Sequence, residues 1–88
     1  MVSREELAEV DPELLYADGF DHCILGVSYT ACESDVVAYD TGCVIKTLMD
    51  RDDMDYEEAN EFFGFNILSA YMGERTPTFI ETFEKIDG

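Results

Sequence analysis

Basic residues are scarce in this chain, because five lysines and arginines stand against 21 aspartates and glutamates and leave a formal net charge of −16. Phosphate backbones and anionic lipid headgroups repel a surface of that sign, so direct binding to nucleic acid or to a membrane is disfavoured. The same charge favours a partner protein with a basic surface. Such binding weakens as salt is added, because salt screens the attraction.

Signals for export, membrane insertion and catalysis are also missing. The N-terminus lacks the apolar stretch of a signal peptide, and the apolar runs are far too short to span a membrane. The cysteines Cys23, Cys32 and Cys43 are odd in number and form no CxxC pair, which argues against a disulfide framework and for reduced thiols in the cytoplasm. With His22 as the one histidine and no phosphate-binding loop, GxGxxG or GxSxG motif, the sequence predicts no catalytic residue and no enzyme.

Two groups of residues have the composition of a metal site without its spacing. In an EF-hand alignment that begins at Asp50, Met54 stands at a ligand position and Asp55 stands where glycine is required. His22 and the cysteines supply soft-metal ligands, but the cysteines are too far apart in sequence for the short turn of a zinc site. We therefore predict no metal and no cofactor, and interpret the cysteines as buried thiols.

Length and patterning predict one α+β domain over residues 1–88, with a helical arm at 1–21, a core at 22–83 and a tail at 84–88. Ser3 and Glu6 have the spacing of a capping box, which predicts a short helix to about residue 9. Asp11 followed by proline predicts a second short helix through residue 16. The expected inward anchors of the arm are Leu7, Val10, Leu14 and Leu15.

Residues 22–29 and 35–39 are β-branched or alternate in the manner of strands, and the polar loop at 30–34 predicts that they form an antiparallel hairpin. Residues 76–83 predict a third strand at a sheet edge, because a proline lies near its start. One face of the first strand is expected to hold Cys23, Leu25, Val27 and Tyr29.

Two helices are predicted between the second and third strands. The first begins after Asp40 or Thr41 and runs to about residue 52, with an apolar stripe at Val44, Ile45, Leu48 and Met49. The second has Asp55 as its N-cap and Glu58 at the third position, and it runs to about residue 72. Its expected apolar face contains Ala59, Phe63, Asn66, Ile67 and Ala70, and Phe62, Phe65 and Tyr71 are expected to widen that face. A buried Asn66 would need a hydrogen-bond partner. The predicted fold is thus a ββααβ two-layer sandwich, with two antiparallel helices on a three-stranded sheet.

The segment 50–61 concentrates acidic charge, with seven acids and one arginine. Three interpretations stay open: a solvated coat that keeps the protein soluble, adaptation to a salty environment, or a surface whose carboxylates imitate DNA phosphates. The third interpretation assigns partner binding to Asp50, Asp52, Asp53, Asp55, Glu57, Glu58 and Glu61.

The order of short motifs along most of the chain resembles a family of small acidic proteins carried by tailed bacteriophages. The residues that carry the resemblance are Asp18-Gly19-Phe20-Asp21, Ile24-Leu25-Gly26-Val27, Tyr39-Asp40, Cys43-Val44-Ile45, Leu48-Met49, Asp52-Asp53-Met54, Tyr56-Glu57-Glu58-Ala59, Phe62, Phe65-Asn66, Gly73-Glu74 and Thr76-Pro77-Thr78-Phe79. The resemblance implies a phage origin without assigning an activity. Small acidic phage proteins often bind host proteins, including CRISPR and restriction machinery, so the implied function is an anti-CRISPR-like inhibitor of a host defence or nucleic-acid-binding protein. The alternative is a structural or accessory phage module that self-associates.

Overall fold

The computed structural model describes residues 3–29, 34–70 and 73–83, and it confirms the predicted α+β class. The predicted tail at 84–88, most of the loop at 30–34 and the expected helix end at residue 72 lie outside these ranges. The elements in chain order are helix α1 (Arg4–Val10), a 3₁₀ turn (Asp21–Cys23), strands β1 (Ile24–Ser28) and β2 (Val36–Asp40), helices α2 (Thr41–Arg51) and α3 (Tyr56–Phe62), a π-helical segment (Phe63–Leu68) and strand β3 (Thr78–Ile80).

The three strands form one sheet in the order β1-β2-β3. β1 pairs antiparallel with β2, as the hairpin prediction required, and β3 pairs parallel with β2 after the crossover through α2 and α3. β3 is an edge strand with Pro77 just before its start. It is shorter than predicted because β2 ends at Asp40, which is paired with Ile80, and offers no partner beyond that point.

The first strand starts later and faces differently than the alternation predicted. Cys23 belongs to the 3₁₀ turn, and the register shifts between Ile24 and Gly26, which marks a β-bulge. A bulge of one residue turns the following side chains to the other face. Ile24 before the bulge and Val27 after it therefore both pack against the core, while Leu25 and Tyr29 are exposed.

Of the two short helices predicted in the N-terminal arm, only the first is present. The Ser3–Glu6 capping box is present and α1 ends at Val10. No helix follows, because the Asp11 carboxylate accepts a hydrogen bond from the Glu13 backbone N–H (2.9 Å) and closes a local turn instead. Of the predicted anchors, Leu7 and Leu14 are buried, whereas Val10 and Leu15 are exposed.

Both long helices begin where the capping residues predicted. The Asp40 carboxylate accepts hydrogen bonds from the backbone N–H groups of Gly42 and Cys43, at the start of α2. Asp55 and Glu58 form a reciprocal capping box at the start of α3. The apolar stripe of α2 is confirmed, with Val44, Ile45 and Leu48 buried and Met49 half-buried.

The second long helix departs from prediction after Phe62. Residues 63–68 form a π-helical segment, whose wider turn changes which side chains share a face. Ala59 and Phe63 are buried and Ile67 is half-buried, but Asn66 and Ala70 are exposed, so the prediction of a buried Asn66 is wrong. The helix also ends at Leu68, earlier than expected.

Tyr39 stands at the centre of the core and links the sheet to the N-terminal segment. Its side chain is fully buried, and its ring stacks on Phe79, which in turn meets Phe63 edge to face. The Tyr39 hydroxyl accepts a hydrogen bond from the backbone N–H of Ala17 (2.7 Å). Burial raises the pKa of the Tyr39 phenol. Within the described ranges, no helix has the length and apolar character needed to cross a membrane.

Candidate functional site

The seven carboxylates predicted to bind a partner line the end of α2, the connection to α3 and the first turns of α3. We call this set the acidic face. All seven side chains are exposed, and they are Asp50, Asp52, Asp53, Asp55, Glu57, Glu58 and Glu61. The structure therefore makes the whole set accessible to a partner, while their role in binding stays a prediction.

Two members of the acidic face have a structural task. The Asp55 carboxylate accepts from the Glu58 backbone N–H (2.8 Å), and the Glu58 carboxylate accepts from the Asp55 backbone N–H (3.0 Å). These bonds satisfy N–H groups that a helix start otherwise leaves unpaired. Negative charge is also favoured at this end of the helix dipole.

The carboxylates at the end of α2 and directly after it, in contrast, do not cap the start of a helix. Asp53 has a left-handed backbone (φ 56°) directly after the C-cap residue Asp52, a position at which glycine is preferred. Asp50 lies in the last turn of α2, where the helix dipole disfavours negative charge. Asp52 pairs with the neighbouring Arg51 at 3.3 Å.

Four carboxylates of the face are unpaired. Among the described residues, no hydrogen bond or ion pair reaches the side chains of Asp50, Asp53, Glu57 or Glu61. All four side chains are exposed to solvent. A cationic partner could pair with them without first breaking an internal salt bridge.

A shallow groove of about 380 Å³ adjoins the acidic face and brings aromatic rings next to carboxylates. Phe62 and Phe65 line it together with Glu58 and Glu61, and Phe65 is 78% exposed. The sequence does not predict this groove, because both phenylalanines are expected at the margin of a buried face. The π-helical segment turns Phe65 outward.

In the other strongly acidic region, residues 1–21, arginines pair with four of the seven carboxylates, which are Asp11, Glu13, Asp18 and Asp21. Arg4 contacts Asp18 (3.1 Å) and Asp21 (2.8 Å), and its guanidinium lies over the Tyr16 ring. Arg75 pairs with Asp11 at 2.5 Å. The pKa of Asp11 is lowered, first by the hydrogen bond from the Glu13 backbone and then by the Arg75 guanidinium. The Arg75 contact connects the N-terminal region to the rest of the fold, while the Arg4 contacts lie within that region.

The cysteines give the clearest correction to the sequence analysis. Cys23 and Cys43 form a disulfide bond, with Cα atoms 5.4 Å apart, so the prediction of buried free thiols is wrong for this pair. The two residues are separated by 20 positions and meet because the 3₁₀ turn packs against α2. Cys32 lies outside the described residues. No local motif could have indicated this pairing, since it depends on a tertiary contact.

His22 lies beside the disulfide, and Thr47 fixes its orientation. The ligating atoms of His22, Cys23 and Cys43 all lie within 4.8 Å of one another. Thr47 donates its hydroxyl hydrogen to the Cys43 carbonyl (2.8 Å), so the hydroxyl oxygen accepts from His22 Nε2 (2.7 Å). Nε2 therefore carries the proton, and Nδ1 keeps its lone pair in the neutral ring.

Comparison with protein-family models found no match, and comparisons with curated proteins and with solved structures found no significant similarity.

Proposed function

We propose that this chain is a phage-encoded protein without enzymatic activity, which binds and inhibits a host defence or nucleic-acid-binding protein through the acidic face. The observation that carries the proposal is the exposure of all seven carboxylates. Among the described residues, only Asp52 of this face has a cationic partner. Carboxylates spaced along a helix start and the turn before it can take the place of DNA phosphates on a basic surface.

The groove beside the face supports this proposal because it suits one kind of side chain. An arginine guanidinium pairs with carboxylates and also stacks on aromatic rings. Glu58 and Glu61 offer the first kind of contact, and Phe62 and Phe65 offer the second. Arginine and aromatic residues dominate the binding energy of many interfaces. We expect the partner to insert an arginine into this groove.

In this proposal the encounter takes place in the host cytoplasm, without a membrane and without direct contact to nucleic acid. The net charge of −16 repels phosphate groups and draws basic surfaces, so the protein competes with nucleic acid for a binding site. Glutathione and thioredoxin keep most cytoplasmic thiols reduced, so the Cys23–Cys43 bond would be exposed to reduction there.

Affinity capture from infected host lysate tests the proposal with two matched variants. The first reverses three carboxylates of the face, Asp50→Lys, Glu57→Lys and Glu61→Lys. The second reverses three exposed carboxylates elsewhere, Glu5→Lys, Glu9→Lys and Glu74→Lys. Both variants change the net charge from −16 to −10, so they differ only in where the change is made.

We expect the wild type and the second variant to retain the same host protein and to release it as salt rises, because salt screens the attraction. The first variant should retain none, with affinity reduced on the order of 100-fold or more. Capture that survives the first set of reversals at about 0.15 M salt would contradict the proposal. Equal loss in both variants would point instead to a general coat of charge.

Self-association is the second candidate, and exposed apolar side chains favour it. Phe65, Leu68 and Phe83 are all more than half exposed, which is typical of a contact surface when such residues cluster. This alternative makes the protein a structural or accessory phage module. Mass measurement in solution separates the two: a stable multiple of 10.0 kDa that Phe65→Ser dissociates would favour it, and a monomer at all concentrations would exclude it.

A further inference from the structure

A second group of residues, unrelated to the acidic face, has the composition of a metal site. The ligating atoms of His22, Cys23 and Cys43 lie within 4.8 Å of one another. Both cysteines have a fixed backbone. The Cys23 backbone N–H donates to the Phe20 carbonyl (2.9 Å), and the Cys43 backbone N–H donates to the Asp40 carboxylate that caps α2.

The disulfide is one of two states that this geometry allows. Two small thiols such as glutathione reduce the bond and leave as their own disulfide, and Cys23 and Cys43 each gain a proton. The cysteine side chains then remain close together, because their Cα atoms are 5.4 Å apart on elements that the core holds in place. A divalent ion can displace both thiol protons and bind the two thiolates.

The distances suit tetrahedral zinc. With Zn–S bonds of about 2.3 Å and a Zn–N bond of about 2.0–2.1 Å, ligand atoms around zinc lie roughly 3.5–3.8 Å apart. The ligand atoms lie within 4.8 Å of one another, which is at most about 1 Å beyond that range. Zinc in proteins prefers sulfur and imidazole nitrogen as ligands. This site therefore suits zinc better than a cluster of carboxylates does.

Thr47 prepares His22 for this role. A histidine that binds a metal through one nitrogen usually donates its other N–H to a nearby acceptor, which fixes the ring and its tautomer. Thr47 is such an acceptor for His22 Nε2, and its hydroxyl oxygen also lies 3.7 Å from the Cys23 sulfur. The Nδ1 lone pair is thereby left available, and His22 is exposed so that an ion can enter from solvent.

We propose that the reduced protein binds one zinc ion through His22, Cys23 and Cys43, with the fourth position open to water or to a ligand from outside the chain. Cys23 is almost fully buried and supplies the inner ligand, Cys43 is half-buried, and His22 closes the site at the surface. The site needs neither the acidic face nor a protein partner. Exchange with a small disulfide such as oxidised glutathione re-forms the Cys23–Cys43 bond, yields two small thiols with protons taken from water, and so releases the ion.

Cobalt titration of the full chain tests the proposal, because Co²⁺ reports a tetrahedral thiolate site by its colour. The protein is reduced with a phosphine, kept free of oxygen and titrated in excess magnesium, which occupies exposed carboxylates. We expect one cobalt per chain, a thiolate-to-cobalt charge-transfer band and the visible bands of tetrahedral cobalt, all lost when zinc is added. The oxidised wild type is the matched control and should show none of these bands.

Variants identify the ligands. Cys43→Ser should lower cobalt affinity by at least about 100-fold, and Thr47→Val should lower it by roughly 10-fold because it frees the histidine ring. His22→Gln should weaken binding and change the visible bands, and Cys32→Ser should match the wild type. The proposal is overturned if the oxidised protein gives the same bands, if the reduced wild type gives none, or if Cys43→Ser binds as well as the wild type. Loss of binding in Cys32→Ser would also overturn the ligand set, with circular dichroism confirming that each variant is folded.

Discussion

Two regions of the molecule carry the same formal charge but differ in how their carboxylates are paired. Residues 1–21 and 50–61 each hold seven acids and one arginine, for a net charge of −6. In the first region, the local Arg4 and the distant Arg75 together pair with four carboxylates. In the second region, Arg51 contacts Asp52 but directs another nitrogen to the Gly19 carbonyl (3.2 Å), in the first region. The few arginines of the chain thus pair mainly with carboxylates of the N-terminal region.

The difference indicates that charge alone does not mark a binding surface. Asp11 connects the N-terminal region to the rest of the fold through Arg75, and Asp18 and Asp21 pair within the region, so these charges have a use within the fold. The acidic face retains unpaired charge, a left-handed Asp53 and an aspartate at the wrong end of a helix dipole. Features that lower the stability of the fold and have no local structural benefit are typical of functional sites.

Leu14→Ala should produce the largest effect, since it tests whether the N-terminal region is part of the folded core. Leu14 is 5% exposed, so its truncation leaves a cavity and should lower the free energy of unfolding by about 2–5 kcal/mol. Its neighbour Leu15 is 37% exposed, and Leu15→Ala should cost less than about 1 kcal/mol. Urea unfolding measures both. Equal costs would mean that this region does not pack as described.

Tyr39→Phe should have the next largest effect, because it breaks the hydrogen bond between the core and the N-terminal region. The substitution keeps the ring and leaves the Ala17 N–H without its partner, at a cost of about 1–3 kcal/mol. The exposed Tyr56 provides the control, and Tyr56→Phe should change the free energy of unfolding by less than about 0.5 kcal/mol. If both variants unfold at the same urea concentration, the Tyr39 hydroxyl does not anchor the segment.

Asp53→Gly should stabilise the protein, which would show that the acidic face costs stability. Glycine adopts the left-handed backbone freely, and we expect a gain of about 0.5–1 kcal/mol in the free energy of unfolding. Glu61→Gly removes a carboxylate from the same face but lies within a helix, so it should lose about 0.5 kcal/mol. Thermal or urea unfolding distinguishes them. A gain in both would indicate relief of charge repulsion, with no contribution from the backbone at Asp53.

Acid titration of Asp11→Asn should reveal the smallest effect, and it concerns the paired region only. The folded-state pKa of Asp11 lies below its ordinary value of 3.8, so this carboxylate stabilises the fold above that value. Its contribution is lost as the pH falls through the lowered pKa. The stability difference between wild type and Asp11→Asn should therefore be constant near neutral pH and shrink below about pH 4. A difference that grows on acidification would contradict the assigned pairing.

The sequence predicted what depends on neighbouring residues. Both capping boxes, at Ser3–Glu6 and Asp55–Glu58, were correct because their partners are three positions apart. The apolar stripe of α2 and the β1–β2 hairpin followed from periodicity. Exposure of the acidic face agreed with its charge.

What the sequence did not predict depends on competing local geometry or on distant contacts. The turn at Asp11 replaced a helix because its carboxylate bonds to the backbone two residues on. The π-helical segment exposed Asn66 and Phe65. The Cys23–Cys43 bond and the Asp11–Arg75 pair join residues 20 and 64 positions apart, and only the assembled fold brings them together.

Titration with an arginine-rich peptide, followed by amide chemical shifts, tests the difference between the two acidic regions most directly. Since both regions have a net charge of −6, attraction by charge alone would perturb them equally. We predict that the shifts concentrate at residues 50–66, including Phe62 and Phe65, and that they vanish in the variant with Asp50, Glu57 and Glu61 changed to lysine. They should persist with Glu5, Glu9 and Glu74 changed to lysine. Shifts that are as large at residues 1–21, or that survive the first set of reversals, would contradict the account.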